Sequence, residues 1–153
     1  MRRAVQAQRR SLRRWERSLV YGVVGVASEV VFTGARDSVL RRDWRLRGHS
    51  YLWMLPIYGL SAFLFEPAHE MLRSRAVWER AAAYSIGIMG VEYVVGMSLR
   101  RKVGVVPWDY SGHGRWVVPG GATRLDYAPL WAVAGLALER MHDRMREVTV
   151  TGR

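Results

Sequence analysis

Residues 19–35, LVYGVVGVASEVVFTGA, carry a single charge at Glu29 and follow a basic segment, residues 1–17, that holds seven Arg and one Glu. Three more apolar runs follow: residues 50–65 carry no charge, residues 81–99 carry only Glu92, and residues 127–138 carry none. A membrane-spanning helix needs roughly 20 mostly apolar residues, within a range of about 17 to 25. Two runs reach this length, one nearly does, and the fourth does so only with its neighbours. The sequence predicts an all-α integral membrane bundle of four transmembrane helices.

The alternative, a soluble basic helical protein, conflicts with where the charges lie. Soluble helices bear charges on one face, whereas these runs are apolar all round and the charges lie between them. Tryptophans near the run ends fit the aromatic belt of a membrane interface; they are Trp15, Trp44, Trp53, Trp78 and Trp108.

The net charge of +11 requires a polyanionic partner. Because the basic residues flank the apolar runs, we expect that partner to be the lipid bilayer with its anionic headgroups, and no nucleic acid. The chain has no Cys, which excludes disulfides and thiolate metal sites.

Basic residues also predict the orientation. With the N-terminus inside, the inner segments hold fourteen of the 24 Lys and Arg, so the positive-inside rule favours two cytoplasmic termini. The expected division is a basic N-terminal segment at residues 1–17, the four-helix domain at residues 18–142 and a tail at residues 143–153. No A-x-A-type cleavage site follows the first run, which predicts an uncleaved anchor. An Arg-, Ala-, Val- and Gly-rich composition fits a bacterial inner membrane.

Each apolar run contributes to the same pattern, an aromatic residue, a small residue, six uncharged residues and a Glu, which lies inside the first and third runs and directly after the second and fourth. The four copies are Tyr21-Gly22 before Glu29, Tyr58-Gly59 before Glu66, Tyr84-Ser85 before Glu92, and Trp131-Ala132 before Glu139. Seven residues are nearly two turns, so the small residue and the Glu share a helix face. The pattern predicts an intramembrane polar core of four carboxylates beside close helix contacts at Gly22, Gly25, Gly59, Ser85, Ala132 and Gly135.

Four converging carboxylates cannot all remain ionised without a counter-charge. Protons, a cationic substrate, Arg side chains or metal ions could supply it. Alternatively, each Glu has only a structural role and forms a hydrogen bond to a neighbouring helix.

Two of these Glu begin a Glu-x-x-His pair, Glu66 with His69 and Glu139 with His142. Together with Glu29 and Glu92 they give the ligand order of di-iron carboxylate bundles, so a pair of iron or other divalent metal ions is one cofactor hypothesis. Two histidines at a membrane interface are the simpler interpretation, and no cofactor is otherwise expected.

The loop between the third and fourth runs contains Pro107, Trp108, Asp109, Tyr110 and Ser111. It is either an interfacial anchor or a lid over the mouth of the bundle.

The motifs Pro56-Ile57-Tyr58-Gly59 and Trp108-Asp109-Tyr110-Ser111, with the four Glu, resemble the type IV ABC-transporter (CmpB-like) family of membrane proteins, which includes the vertebrate transmembrane protein 229 group. The resemblance covers residues 20–140 and implies a small multi-pass, permease-like protein. His69 and His142 lie outside the family's pattern, which weakens the metal hypothesis.

Three functions therefore remain open: a transport-related or accessory membrane protein, a di-metal membrane enzyme, and a structural or lipid-interacting protein. No G-x-x-x-x-G-K-[ST] loop occurs, so the chain is not itself an ATPase of that class. A non-enzymatic role is favoured, with a homo-oligomer or transporter partner subunits as further partners.

Overall fold

The computed structural model describes residues 9–151, and its long elements are all helices, as predicted. The elements are β1 (Arg9–Ser11), α1 (Arg14–Arg41), α2 (Met54–Gly59), α3 (Ser61–Leu72), α4 (Val77–Val103), a 3₁₀ turn (Leu125–Tyr127), α5 (Ala128–Glu147) and β2 (Thr149–Thr151). The predicted boundaries at residues 17 and 142 fall inside helices, because α1 begins and α5 ends in polar sequence.

The polar start of α1 is fixed by Glu16. Its carboxylate accepts a 2.6 Å bond from the backbone N–H of Arg13, a free donor of the first helical turn, and two bonds from the guanidinium of Arg10. These bonds lower the pKa of Glu16 to about 2. The helix therefore starts outside the apolar run and carries Arg17 into the bundle.

The second apolar run forms two helices instead of one. The carbonyl of Gly59 accepts a 2.9 Å hydrogen bond from the hydroxyl of Ser18, and the N–H of Phe63 bonds the carbonyl of Leu60 instead. The ladder is interrupted there, although Leu60 keeps helical dihedral angles. Consequently α2 and α3 follow one another as a single broken element.

The helices form two hairpins. α1 packs along α2 and α3, and α4 packs along α5. Glycine makes both contacts close: a Cβ on Gly25 would lie 2.3 Å from the ring of Tyr58, and one on Gly135 would lie 2.4 Å from Cβ of Tyr84. The small residues predicted at these positions are therefore required by the packing.

The exterior of the bundle is apolar. Leu52, Val31 and Ile86 are 87%, 72% and 72% exposed, and only 17% of the most apolar window of α1 or α4 is buried. These two helices, at 28 and 27 residues, have the length and hydropathy to cross a bilayer. Such a surface fits lipid better than water.

Both ends of the described chain meet at one end of the bundle. β1 pairs antiparallel with β2, with Arg10 opposite Val150. The loops after α1 and α4 lie at the other end.

Candidate functional site

The four predicted carboxylates lie in two layers. Gly22 approaches the carbonyl of Leu55 where α1 and α2 cross. From there α1 and the α2–α3 element run in opposite directions. Glu29 and Glu66, which follow Gly22 and Gly59, therefore lie toward opposite ends of the bundle. Glu66 meets Arg17, twelve residues before Glu29 on α1, which at 1.5 Å per residue separates the two layers by about 18 Å.

The layer nearer the termini contains two Arg–Glu pairs and two His–Tyr pairs, and we call it the Arg–His layer. Its members are Arg17, Tyr21, Glu66, His69, Arg80, Tyr84, Glu139 and His142. In the first hairpin, Arg17 donates from Nε and Nη2 to the two oxygens of Glu66, both at 2.7 Å. In the second, Arg80 donates to both oxygens of Glu139 at 2.9 and 3.0 Å. Each carboxylate is thereby neutralised by a bidentate partner.

The histidines of this layer lie between the hairpins, buried and in contact. His69 and His142 are 2% and 3% exposed, and their ring centroids are 5.5 Å apart. Each is bonded to a tyrosine of the other hairpin: Nδ1 of His69 to the hydroxyl of Tyr84 at 2.8 Å, and Nδ1 of His142 to that of Tyr21 at 2.9 Å. The Arg–His layer therefore joins the two halves of the bundle.

The hydrogen bonds of Tyr84 assign the protons around His69. The Tyr84 hydroxyl donates to Glu139 at 2.8 Å, so Nδ1 of His69 is the donor to Tyr84. Nε2 of His69 lies 3.2 Å from a guanidinium nitrogen of Arg73 and 3.3 Å from a carboxylate oxygen of Asp143. Nε2 can thus accept from Arg73 when His69 is neutral and donate to Asp143 when it is protonated.

The second layer consists of carboxylates bonded to hydroxyls, and we call it the hydroxyl layer. Glu29 accepts from the hydroxyls of Ser50 at 2.8 Å and Tyr58 at 3.2 Å. Glu92 accepts from Tyr110 at 2.9 Å and Thr123 at 2.6 Å. Within the described residues, neither carboxylate has an ion-pair partner.

The predicted loop motif folds over the hydroxyl layer. Nε1 of Trp108 donates to the carbonyl of Ala122 at 2.9 Å, and the backbone N–H of Tyr110 donates to the carbonyl of Gly121 at 2.8 Å. Hydrogen bonds to Asp109 from the side chain of Ser111 and from its backbone N–H lower the pKa of Asp109. Pro107 precedes this turn, and the whole motif positions the Tyr110 hydroxyl on Glu92. Its geometry is that of a cover over one end of the bundle.

The structure also reveals functional residues that the sequence analysis missed, namely the Arg and acidic partners of the Arg–His layer. They belong to an internal repeat: Arg17-x-x-x-Tyr21 in α1 recurs as Arg80-x-x-x-Tyr84 in α4. The ends of α3 and α5 share a second pattern, Glu-x-x-His followed directly by an acidic residue and, three residues later, by Arg; it occupies residues 66–73 and 139–146. A search for repeats across helix pairs, instead of single helices, would have found this signal.

The predicted helix-packing positions lie at or near helix contacts. Gly59 is held against Ser18, and the hydroxyl of Ser85 donates to the carbonyl of Ala128 at 2.8 Å. Ala132 is partly buried on α5.

The di-metal arrangement would require all six predicted ligands at one level, and Glu29 and Glu92 lie in the other layer. The guanidinium groups of Arg17 and Arg80 already bind both oxygens of Glu66 and of Glu139. Within residues 9–151, no group of three or more His, Asp or Glu side chains has the arrangement of a metal site. The donor set therefore does not fit a di-metal centre in this conformation.

Comparison with known proteins gives a family. No solved structure matches the chain. The model of the family described as "Putative ABC-transporter type IV" matches residues 18–151, which include the hydroxyl layer, the Arg–His layer except Arg17, and every helix but the first turn of α1. The match agrees with the resemblance carried by the Pro-Ile-Tyr-Gly and Trp-Asp-Tyr-Ser motifs. The chain belongs to this type IV ABC-transporter family.

Proposed function

We propose that the protein is a transport-related, permease-like membrane protein of four spans, in which the Arg–His layer exchanges protons within the bilayer. The observation that carries the proposal is the pair of buried Tyr–His–Glu groups at the contact between the hairpins. Chains of His and carboxylates inside a membrane protein are typical of proton relays.

The four-span arrangement is supported by the two antiparallel hairpins and by the outward-facing apolar residues. Two hairpins place both termini at one end, as the β1–β2 pair requires. The positive-inside rule assigns that end to the cytoplasm of a bacterial inner membrane. In this orientation the Arg–His layer lies toward the cytoplasm and the hydroxyl layer toward the outside.

The histidines are the groups of the Arg–His layer that exchange protons. Each Glu of this layer is ionised because both of its oxygens are bound by a guanidinium group. An Arg does not lose its proton in a protein. An imidazole has an ordinary pKa of about 6.5, so small changes in its surroundings alter its charge at physiological pH. Nε2 of His69 has both a donor, Arg73, and an acceptor, Asp143, within 3.3 Å, and can gain or release a proton without losing all its partners.

The internal repeat gives the proposal a mechanical consequence. The Arg17–Glu66 and Arg80–Glu139 pairs lie within each hairpin, whereas the His–Tyr bonds join the hairpins, together with the ion pairs Arg73–Asp143 and Arg146–Glu70. Protonation of a histidine therefore changes the contacts between the halves and leaves each half intact, as movement of one repeat against another requires. Because the chain lacks a P-loop, energy from ATP would have to come from a partner subunit.

Proton flux into liposomes that contain the purified protein tests this proposal. A potassium diffusion potential drives the flux, and a trapped pH dye reports it. We expect faster acidification than in empty liposomes, and loss of this excess in the double variant His69→Gln with His142→Gln. His113→Gln, at an exposed loop histidine, is the matched control and should retain it. An excess flux that survives in the double variant would contradict proton exchange by these histidines.

A further inference from the structure

The two halves of the Arg–His layer differ at Nε2 of their histidines. In one half, Nε2 of His69 is 3.3 Å from Asp143 Oδ1, and Arg73 holds that oxygen at 2.9 Å. In the other half, the residue equivalent to Asp143 is Glu70, and its Oε1 is 3.8 Å from Nε2 of His142. Arg146 binds Glu70 and holds it there.

As a result, Nε2 of His142 has no hydrogen-bond partner among the described residues, although the side chain is only 3% exposed. Its other ring nitrogen is bonded to Tyr21. When the Tyr21 hydroxyl donates to Nδ1, the proton of the neutral ring is on Nε2. Nε2 is then a buried N–H donor without an acceptor, an unfavourable state that a bound anion would relieve.

This nitrogen borders a cleft of about 580 Å³ that opens at the end of the bundle where the termini meet. Binding sites for small molecules and headgroups typically have roughly 300–1,000 Å³. The lining includes Arg14, Arg17 and Arg146, which outnumber the acidic lining residues Glu66 and Glu70. No carboxylate pairs with Arg14 in the described part of the chain, and its guanidinium lies 5.9 Å above the ring of Phe63.

We propose that this cleft binds a phosphate group, with an oxygen at Nε2 of His142 in the place that Asp143 takes at His69. Phosphate is favoured over a metal or a neutral ligand because Arg14 and an imidazole N–H are donors without an acceptor among the described residues, and because the basic lining residues outnumber Glu66 and Glu70. Leu12, Pro67 and Met145 also line the cleft and would contact an apolar glycerol or acyl segment. The headgroup of an anionic phospholipid supplies both parts, and inorganic phosphate supplies only the first. The site does not depend on proton exchange.

Binding is measured on the full chain in nanodiscs by nitrogen NMR of the histidine rings, with His142 assigned by its absence in His142→Gln. The nanodiscs contain phosphatidylcholine alone, phosphatidylcholine with phosphatidylglycerol, or phosphatidylcholine with millimolar inorganic phosphate in the buffer. We expect the Nε2 signal of His142 to shift with phosphatidylglycerol while that of His69 stays. An equal shift with inorganic phosphate identifies a soluble phosphate as the ligand. An unchanged His142 signal in both arms overturns the site.

A matched pair of variants separates this cleft from general surface charge. Native mass spectrometry counts phosphatidylglycerol retained by Arg14→Gln with Arg146→Gln, and by Arg75→Gln with Arg144→Gln, which removes the same charge outside the cleft. Each Arg near a headgroup contributes about 1 kcal/mol, so the first pair should weaken retention roughly tenfold or more. The second pair should match the wild type. Equal retention in both pairs would contradict the cleft, and the wild-type NMR result stands even if the first pair folds poorly.

Discussion

Arg17 and Glu66 are joined by two parallel hydrogen bonds of 2.7 Å across the first hairpin, and Arg80 and Glu139 repeat the pair in the second. The Arg17 and Glu66 side chains are 18% and 7% exposed. A pair this buried fixes the geometry of its hairpin, because removal of one side chain leaves the charge of the other unbalanced in a buried position.

Glu66→Gln should therefore destabilise the bundle by about 3–5 kcal/mol, since it leaves the Arg17 charge buried and unpaired. The double variant Arg17→Gln with Glu66→Gln should recover part of that loss. Equilibrium unfolding in mixed detergent micelles measures both values. Arg45→Gln, which breaks an exposed ion pair with Asp43 in the loop after α1, is the control and should cost about 1 kcal/mol or less. Additive effects of the Arg17 and Glu66 changes would contradict the pairing.

Tyr84→Phe should destabilise the protein more than Tyr21→Phe. The Tyr84 hydroxyl has hydrogen bonds of 2.8 Å to both His69 and Glu139, whereas within residues 9–151 the Tyr21 hydroxyl has a hydrogen bond of comparable length, 2.9 Å, to His142 alone. Loss of a hydroxyl with buried partners costs about 1–3 kcal/mol. Thermal unfolding in detergent checks the order, with Tyr51→Phe, at a 40% exposed residue, as the control. Equal losses for Tyr84 and Tyr51 would exclude the proposed hydrogen-bond network.

Gly135→Val should separate α5 from α4. A Cβ at Gly135 would lie 2.4 Å from Cβ of Tyr84, which is backbone-anchored and cannot swing away. Overpacking of this kind costs about 1–3 kcal/mol or more. The control is Gly90→Val on α4, where a Cβ meets nothing within 4 Å. Equilibrium unfolding in detergent micelles measures the stability of both variants. A variant at Gly135 as stable as the one at Gly90 would show that the hairpin does not pack this closely.

The orientation can be tested in this naturally Cys-free chain. Arg115→Cys lies in the loop before α5, and Arg75→Cys lies between α3 and α4. With four spans and cytoplasmic termini, an impermeant maleimide should label Arg115→Cys in intact cells and Arg75→Cys only after permeabilisation. Labelling of both from the same side would contradict the four-span topology.

The repeated aromatic–small–Glu pattern predicted the helix contacts but not the two layers. The contacts follow from sequence because a small residue such as Gly22 or Gly135 permits a close approach wherever its partner lies. The layer in which each Glu lies cannot be predicted in the same way. Each Glu lies seven residues after the small residue of its helix, and the direction of that helix in the bundle depends on how the hairpins fold. Glu29 and Glu66 therefore end at opposite ends of the bundle.

The arginines of the Arg–His layer were missed for a related reason. Arg17 adjoins six other Arg in a segment that looks uniformly solvated, and only the start of α1 at Arg14 turns its side chain toward Glu66. Arg80 likewise precedes the apolar run of α4. Charge segregation along the sequence could not distinguish an Arg that faces lipid headgroups from one that pairs inside the bundle.

The most direct test of proton exchange in the Arg–His layer is a pH titration of the ring nitrogens of His69 and His142 by NMR, in phosphatidylcholine nanodiscs. Because the rings are 5.5 Å apart and bonded to opposite halves, both should exchange a proton within the pH range over which the bundle stays folded, and His69→Gln should displace the titration of His142. Two rings that keep one protonation state across this range, or that titrate without influence on each other, would contradict proton exchange at the contact between the hairpins.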